Sequence, residues 1–538
     1  MRALPGVVPY PADVAARYRA AGYWTDGTLD DLLRDAAADA PDATAVVDAA
    51  GSLTYAELDA RVARVACGLR GVGVAAGQRV VVHLPNRTSL LVVLFALFRV
   101  GAVPVLALPA HRRSDLTYFA EHTGAVALVT CRTHGGFDHA ALAAQVAQQV
   151  PGLRVLLDDA LPEADGDVPR GASDASDVAF LGLSGGSTGR PKLIARTHAD
   201  YLYSVRESAR ICGLHRGSVL LAAMPAVHNF PMSSPGFLGV VHVRGTVVLA
   251  PDPSPATVLG MVERHRVTVL PAVPPLLLAW LSSPLATSAD TSSLALVQVG
   301  GARPARALLE RVTPTWGARL QQVFGMAEGL VCYTRDLDDD ETVLGTQGRP
   351  ISAADEVLVV DDDDRPVPPG TPGHLLTRGP YTIRGYYRAP EHDARTFTAD
   401  GFYRTGDVVV AREDGALTVV GRAKDQINRG GEKVVPAEVE EHLLTHEAVH
   451  DVSVLGEPDD VLGERVVAYV VARPDGDAPR PADLRRWLAA RGVATYKVPD
   501  VVRLVDRLPG TAVGKVDRTR LAAAVPVGEP QTVGGGTR

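Results

Sequence analysis

A chain of 538 residues, 46% hydrophobic and 22% charged, has the balance of an ordinary globular protein, long enough for roughly three or four domain-sized units. Its net charge of -8 argues against nucleic-acid binding, which calls for a basic balance. Four cysteines, Cys67, Cys131, Cys212 and Cys332, form no C-x-x-C pair and so point to neither a zinc knuckle nor a disulfide framework; a reducing cytoplasm fits.

The N-terminal stretch lacks the apolar core of a signal peptide. Thr54 and Glu57 stand in capping-box spacing, and Leu58, Val62, Val65, Ala66 and Leu69 then recur at helical spacing. Gly71, Gly73 and Gly77 imitate a dinucleotide fingerprint, but they precede a strand instead of following one and read as a helix-to-strand connection. RVVVHLP (79–85) reads as a strand, SLLVVLFALFRVG (89–101) as a helix and AVPVLALP (102–109) as the next strand. The longest apolar run, Leu90–Phe98, stops at Arg99, about half the length that crosses a bilayer, so a buried helix is expected and no membrane span. Residues 160–177 are polar and turn-rich, an exposed connection.

Further strand and helix units follow through LALVQVGG (294–301). From about residue 345 to 420 the pattern shifts to short strands and turns; Asp361–Asp364 reads as a solvated hairpin turn there, not a metal site. From Asp425 a compact α+β pattern begins with a helix over PAEVEEHLLTHEAV (436–449). His442, His446 and His450 would share one face of that helix, and a solvated face explains them better than a metal.

Repeated strand–helix–strand units imply parallel sheets covered on both faces. The expected fold class is α/β. A large N-terminal domain of parallel sheets with a small β-barrel-like region (1–423) is expected to precede a small mobile α+β domain (424–524), with 525–538 expected as a disordered tail.

The most informative stretch is SGGSTGRPK, after the apolar run VAFLGLS. Ser184, Gly185, Gly186, Ser187, Thr188 and Gly189 let the backbone curl and turn N–H and O–H groups toward an anion, and Lys192 adds a positive charge. It is a phosphate cradle but not a Walker loop, because Arg190 and Pro191 separate the last glycine from the lysine. FGMAEG (324–329), YRTGD (403–407), GRAKDQINRGGEKVVPAEVE (421–440) and PGTAVGKVDR (509–518) follow in order. With these five motifs, residues 25 to 524 resemble the adenylate-forming superfamily of acyl-CoA synthetases, carrier-loading adenylation domains and luciferases.

The resemblance implies that a carboxylate attacks ATP and pyrophosphate leaves. Like charges about 4 Å apart repel by about 4 kcal/mol at an effective dielectric of 20, so cations and N–H donors must offset the approach. It assigns the phosphates to 184–192, Mg²⁺ to Glu328 and the reacting centre to Lys515. Asp407, helped by Arg422, would grip the ribose hydroxyls. Gly301, Ala302, Val323, Phe324 and Gly325 would surround the adenine. Lys424 would be the hinge on which the small domain turns between half-reactions.

MPAVHNFPMSSPGFLG (224–239) is similar to the stand-alone aryl-acid AMP ligases that activate 2,3-dihydroxybenzoate or salicylate in siderophore and related nonribosomal pathways. By that likeness Asn229 would bond the 2-hydroxyl, Ser234 the 3-hydroxyl, and His228 would wall the acid from the nucleotide. Phe230 stands where tyrosine is usual, Cys332 where asparagine is usual, and Val331 leaves room for a 3-substituent. The acid expected is 2,3-dihydroxybenzoate, salicylate or a 3-hydroxyanthranilate. No carrier domain is expected after the lysine loop, so the thiol would arrive on a separate protein or on CoA, and the resemblance to the aryl-acid ligases implies a separate phosphopantetheinylated aryl carrier protein. The alternatives are an aryl-CoA ligase or a catalytically silent nucleotide-binding regulator.

Overall fold

The computed structural model describes residues 4–523 apart from 167, 185–190, 430–431, 460, 475–477, 492, 494 and 512–514. The chain divides into two compact units between Val419 and Val420.

The first unit carries three main sheets. In the largest, strands Thr44–Asp48, Thr246–Leu249, Val219–Ala222, Val269–Ala272, Leu296–Gly300 and Arg319–Gly325 lie side by side in parallel. Antiparallel strands Val331–Tyr333 and Arg349–Pro350 close one edge, and Gly51–Thr54 the other. The second sheet has six strands, with Val178–Leu183 beside an antiparallel edge strand, Leu193–Thr197. The third is a four-stranded sheet built from Glu356–Val360, Pro372–Arg378, Tyr403–Ala411 and Leu417–Arg422. It is the region of short strands and turns expected between 345 and 420.

Local sequence explains the helices well. The Thr54 side chain accepts from the Glu57 N–H, and the Glu57 carboxylate accepts from the Thr54 N–H, so the capping box starts the helix Tyr55–Gly71. Leu58, Val62, Val65, Ala66 and Leu69 are all fully buried along it. The run Leu90–Phe98 lies in helix Thr88–Val100, every residue of which is buried. Burial on all sides is the environment that an all-round apolar helix needs inside a large protein. No helix among the described residues is long and apolar enough to cross a membrane. Asp361–Asp364 forms a turn, with Arg404 paired to Asp364 and His374 to Asp362.

The second unit packs helices Pro436–Leu444 and Pro481–Ala490 with a sheet led by Val449–Asp459 and Gly463–Ala472. Its core includes Ile427, Val439, Leu443, Val454, Val466, Ala468 and Leu484. The first helix is shorter than the sequence suggests. It ends at Leu444, where the Thr445 hydroxyl donates to the His442 carbonyl at 2.6 Å. His446 therefore sits in the following turn, its ring edge-on to Trp487 at 5.0 Å, and His450 lies in a strand. The three histidines do not share a helix face.

Candidate active site

In open parallel sheets, ligands collect at the carboxyl ends of the strands. Three segments of the large sheet leave from that end: the loop after Val219–Ala222, Gly301–Ala302 after Leu296–Gly300, and Met326–Gly329 after Arg319–Gly325.

The two ends of the candidate phosphate loop spring from the second sheet. Leu183 pairs with Leu193, the Ser184 N–H donates to the Lys192 carbonyl at 2.9 Å, and the Lys192 N–H donates to Ser184 Oγ at 3.1 Å. These bonds fix the two ends of the candidate cradle; Gly185, Gly186, Ser187, Thr188 and Gly189 lie outside the described residues. Lys192 is half-buried, and its charge adds to the burial that lowers the pKa of His392.

Glu328 is buried, 6% exposed. The Tyr386 hydroxyl donates to its Oε1 at 2.7 Å and lies 3.1 Å from the Tyr403 hydroxyl. Burial first, and then the Glu328 charge, push the Tyr386 phenol far above its ordinary pKa, so it stays a donor. The Glu328 carbonyl accepts from Ile383 at 2.8 Å. A Cβ on Gly329 would stand 2.6 Å from the Thr382 hydroxyl, so only glycine lets this segment approach so closely. The preceding carbonyl, Ala327, accepts from buried Arg196 at 2.9 Å, and Asp200 holds the same guanidinium at 2.8 Å. Among the described residues no group of three or more His, Cys, Asp or Glu could hold a metal. A magnesium site of the kind expected asks less: one or two carboxylates, with phosphate and water oxygens completing the shell. Glu328 fits that requirement.

Of the candidate nucleotide residues, Gly301, Ala302 and Gly325 lie at the ends of neighbouring strands of the large sheet. Gly301 has φ +85° and is exposed together with Ala302. A Cβ on Gly300 would lie 2.8 Å from the Val323 carbonyl and 3.2 Å from the Phe230 ring, so Gly300, Val323 and Phe230 are in close contact. Gly325 is exposed where Arg319–Gly325 ends. Asp407 is buried in strand Tyr403–Ala411, and its N–H donates to Thr405 Oγ1 at 3.0 Å. Arg422 ends strand Leu417–Arg422.

The candidate aryl-acid loop carries a short helix, Asn229–Ser233, with His228 Nδ1 accepting from the Phe230 N–H at 3.4 Å. Asn229 Oδ1 accepts from the Tyr201 hydroxyl at 2.9 Å. Ser234 is buried before a cis bond to Pro235. Phe230 is buried against Gly300. Asn86 holds the root of the loop. Its Nδ2 donates to the Ala222 carbonyl at 3.0 Å and the Met224 carbonyl at 2.9 Å, and its Oδ1 accepts from the Ala226 N–H at 2.8 Å.

Val331 and Cys332 part company. Val323 pairs with Tyr333, Phe324 with Cys332 and Gly325 with Val331, so successive residues alternate between faces. Val331 packs in the same core as Phe230 and Val323. Cys332 turns the other way, fully buried with Leu330, Val359, Leu375, Val409 and Leu417, and Phe324 packs beside it. Its placement in the acid pocket is therefore corrected: Cys332 belongs to the core under the four-stranded sheet. Behind Val331 stands a buried acid. The Val331 N–H donates to the Tyr381 hydroxyl at 3.2 Å, which donates to Asp355 Oδ2 at 2.6 Å. Burial pushes the Asp355 carboxyl up to about 7.

In the second unit, the Lys515 N–H donates to Thr511 Oγ1 at 3.1 Å, and its carbonyl accepts from the Thr511 N–H at 2.6 Å. The backbone of Lys424 lies in a single 3-10 turn, Ala423–Asp425. The sequence did not single out Asn86, Arg196, Tyr201, Asp355 or Tyr381. Each reaches the site from another element.

Two family models match the chain: AMP-binding enzyme over residues 33–387 and AMP-binding enzyme C-terminal domain over 438–515. A 2,3-dihydroxybenzoate-AMP ligase of Bacillus subtilis is 49% identical over 97% of this chain and 98% of its own. A salicyl-AMP ligase / salicyl-S-ArCP synthetase of Mycobacterium tuberculosis is 44% identical over 96% and 94%. A salicylyl-CoA synthase / salicylate adenylyltransferase of a Streptomyces species is 45% identical over 97% and 98%. Among solved structures, ATP-bound MatB from Rhodopseudomonas palustris superposes with a TM-score of 0.83 at 27% identity, covering 93% of this chain and 99% of that one.

Proposed function

The chain belongs to the AMP-binding enzyme family, and on that premise we propose that it joins a hydroxylated aromatic carboxylic acid to the α-phosphate of ATP, releasing pyrophosphate. The thiol of the phosphopantetheine arm on a separate aryl carrier protein then attacks the adenylate's carbonyl carbon, taking the aroyl group as a thioester and releasing AMP, in siderophore or nonribosomal-peptide-type biosynthesis. The carrying observation is a convergence at one end of the large sheet. The loop with His228, Asn229 and Ser234, the strand end with Val331 and the segment with Glu328 all leave from its carboxyl side or adjoin it.

The residues divide the work by chemistry. Ser184 and Lys192, with the glycines and hydroxyls between them, hold the phosphates that leave. Asp407, a carboxylate able to accept two hydrogen bonds, takes the ribose hydroxyls with Arg422. Gly301, Ala302, Val323, Phe324 and Gly325 admit the adenine. Glu328 supplies an oxygen ligand for Mg²⁺, which neutralises phosphate charge when bound. Lys515 supplies positive charge where the carboxylate attacks phosphorus, the point at which charge grows in the transition state. His228 separates acid from nucleotide, and Asn229 and Ser234 meet the ring substituents. Val331 bounds the ring beside Phe230, both being small enough or flat enough to admit a benzoate. Lys424 is the hinge between half-reactions.

Acid-dependent exchange of labelled pyrophosphate into ATP, across benzoates, salicylates, anthranilates and dihydroxybenzoates, tests the first half-reaction. Exchange with none of them would overturn it. Thioester formation with a holo-carrier protein and with CoA tests the second. Turnover with CoA and with no carrier would make the protein an aryl-CoA ligase.

A further inference from the structure

We propose that Tyr201 locks the Asn229 amide with its nitrogen toward the substrate, so that the site accepts 2-hydroxy acids and rejects 2-amino acids. The inference rests on the reading above that Asn229 meets the ring's 2-substituent.

The phenol has little freedom. Tyr201 is 1% exposed, its ring stands edge-on to Phe180 at 4.6 Å, and the Arg196 guanidinium lies 4.7 Å above it. Arg196 is itself anchored by Asp200 at 2.8 Å and by the Ala327 carbonyl at 2.9 Å. Burial, only partly offset by the Arg196 charge, pushes the Tyr201 phenol up to about 12, so it stays protonated and a donor. That hydroxyl donates to Asn229 Oδ1 at 2.9 Å, and the Ser233 hydroxyl lies 3.5 Å from the same oxygen. The acceptor end of the amide is thus engaged by protein. Its Nδ2 makes no hydrogen bond among the described residues.

An amide so fixed offers the ligand two N–H donors and no acceptor. A 2-hydroxybenzoate suits it: the hydroxyl proton points to the neighbouring carboxylate, which leaves an oxygen lone pair for Asn229. A 2-aminobenzoate does not. One of its N–H bonds serves the carboxylate, the other meets the Asn229 donors, and its lone pair is delocalised into the ring. Donor faces donor, and sites built to pair a polar group discriminate strongly against one that cannot pair.

The measurement is kcat/KM for pyrophosphate exchange with salicylate and with anthranilate, in the wild type and in Tyr201→Phe. The wild type should prefer salicylate by about 100-fold or more. Tyr201→Phe frees the amide to turn over, so the preference should fall by about 10-fold, chiefly through a lower KM for anthranilate. Equal use of both acids by the wild type overturns the inference. So does equal loss for both acids in a Tyr201→Phe protein that melts like the wild type, which would make Tyr201 only structural. If Tyr201→Phe does not fold, Asn229→Asp replaces it: an ionised carboxylate presents acceptors in either orientation, and the preference should shift toward anthranilate. An unshifted ratio there overturns the inference. Exchange with no benzoate at all sinks the underlying reading, whereas exchange blind to the 2-substituent sinks this inference alone.

Discussion

The proposed acid-binding loop and the lysine loop are anchored differently, the first to distant elements of the large unit and the second within the small unit. The loop after Ala222 is tied down from elements far away in the chain, by Asn86, which donates to the Ala222 and Met224 carbonyls and accepts from the Ala226 N–H, and by a bond from Tyr201. The backbone of the lysine loop is closed by local hydrogen bonds, between Thr511 and Lys515 and from Asp517 to Pro509, and Arg518 at its end donates to Asp425 and Glu440 of the same unit. The difference matches the two tasks. Choosing an acid requires donors fixed to within a fraction of an ångström. A lysine that serves one half-reaction and leaves for the next needs a loop that travels with its own small domain.

The largest effect should come from the lysine. Lys515→Ala should slow pyrophosphate exchange by about 100-fold or more, the scale of removing a group that stabilises transition-state charge. Thiolation of the carrier from preformed aryl-adenylate should change little. Equal loss in both assays would erase the proposed division between a fixed selecting site and a visiting charge.

Asn86→Ala attacks the other side. It removes three hydrogen bonds at the loop root, each worth about 1 kcal/mol net. The KM for the aryl acid should rise by about 10-fold or more while the KM for ATP moves much less. A parallel rise in both would show that the loop is not the separate, rigid selecting element described here.

Much of this was legible in the sequence, and the misses have physical causes. The capping box at Thr54 and Glu57, the helical spacing of Leu58 to Leu69 and the ordered motifs are local patterns, and local patterns survive in a linear reading. Asn86, Tyr201 and Asp355 act across long separations, as does Arg196 toward Ala327, and nothing near them in the chain announces those partners. Cys332 is different. It follows Val331 in a strand, and alternation alone sends the two to opposite faces. The signal was present, and motif position outweighed it. For the histidines, four-residue spacing held only while the helix did, and the helix stops at Leu444.

A third prediction concerns Asp355, which is coupled through Tyr381 to the backbone of Val331. Its pKa is raised by burial from 3.8 to about 7. Between those values the folded chain keeps a proton that the unfolded chain has lost, so the group's contribution to stability falls as pH rises from 3.8 to about 7. His83 and His198, held down to about 3 and about 4 by burial, act with the opposite sign, losing their contribution as pH falls below 6.5. Asp355→Asn isolates the acid. The melting temperature of the wild type minus that of the variant should fall across that window and then level off. A flat difference would mean that Asp355 does not stay protonated in the fold.

The smallest effect sharpens the comparison at the scale of one residue. Val331→Leu and Cys332→Ala change adjacent positions on one strand, but only the first faces the core shared with Phe230 and Val323. The extra methylene of leucine should penalise a 3-substituted acid relative to salicylate by about 10-fold, the usual worth of a methylene in a tight pocket. Cys332→Ala should leave the ratio of dihydroxybenzoate to salicylate turnover unchanged and cost about 1 kcal/mol of stability, as removal of a small buried group does. The pair of ratios, read beside thermal melts, decides which face of the strand the acid sees. If Cys332→Ala altered acid choice and Val331→Leu did not, the ring would lie on the side of the four-stranded sheet, and the selecting site would have to be rebuilt around Leu330 and Phe324.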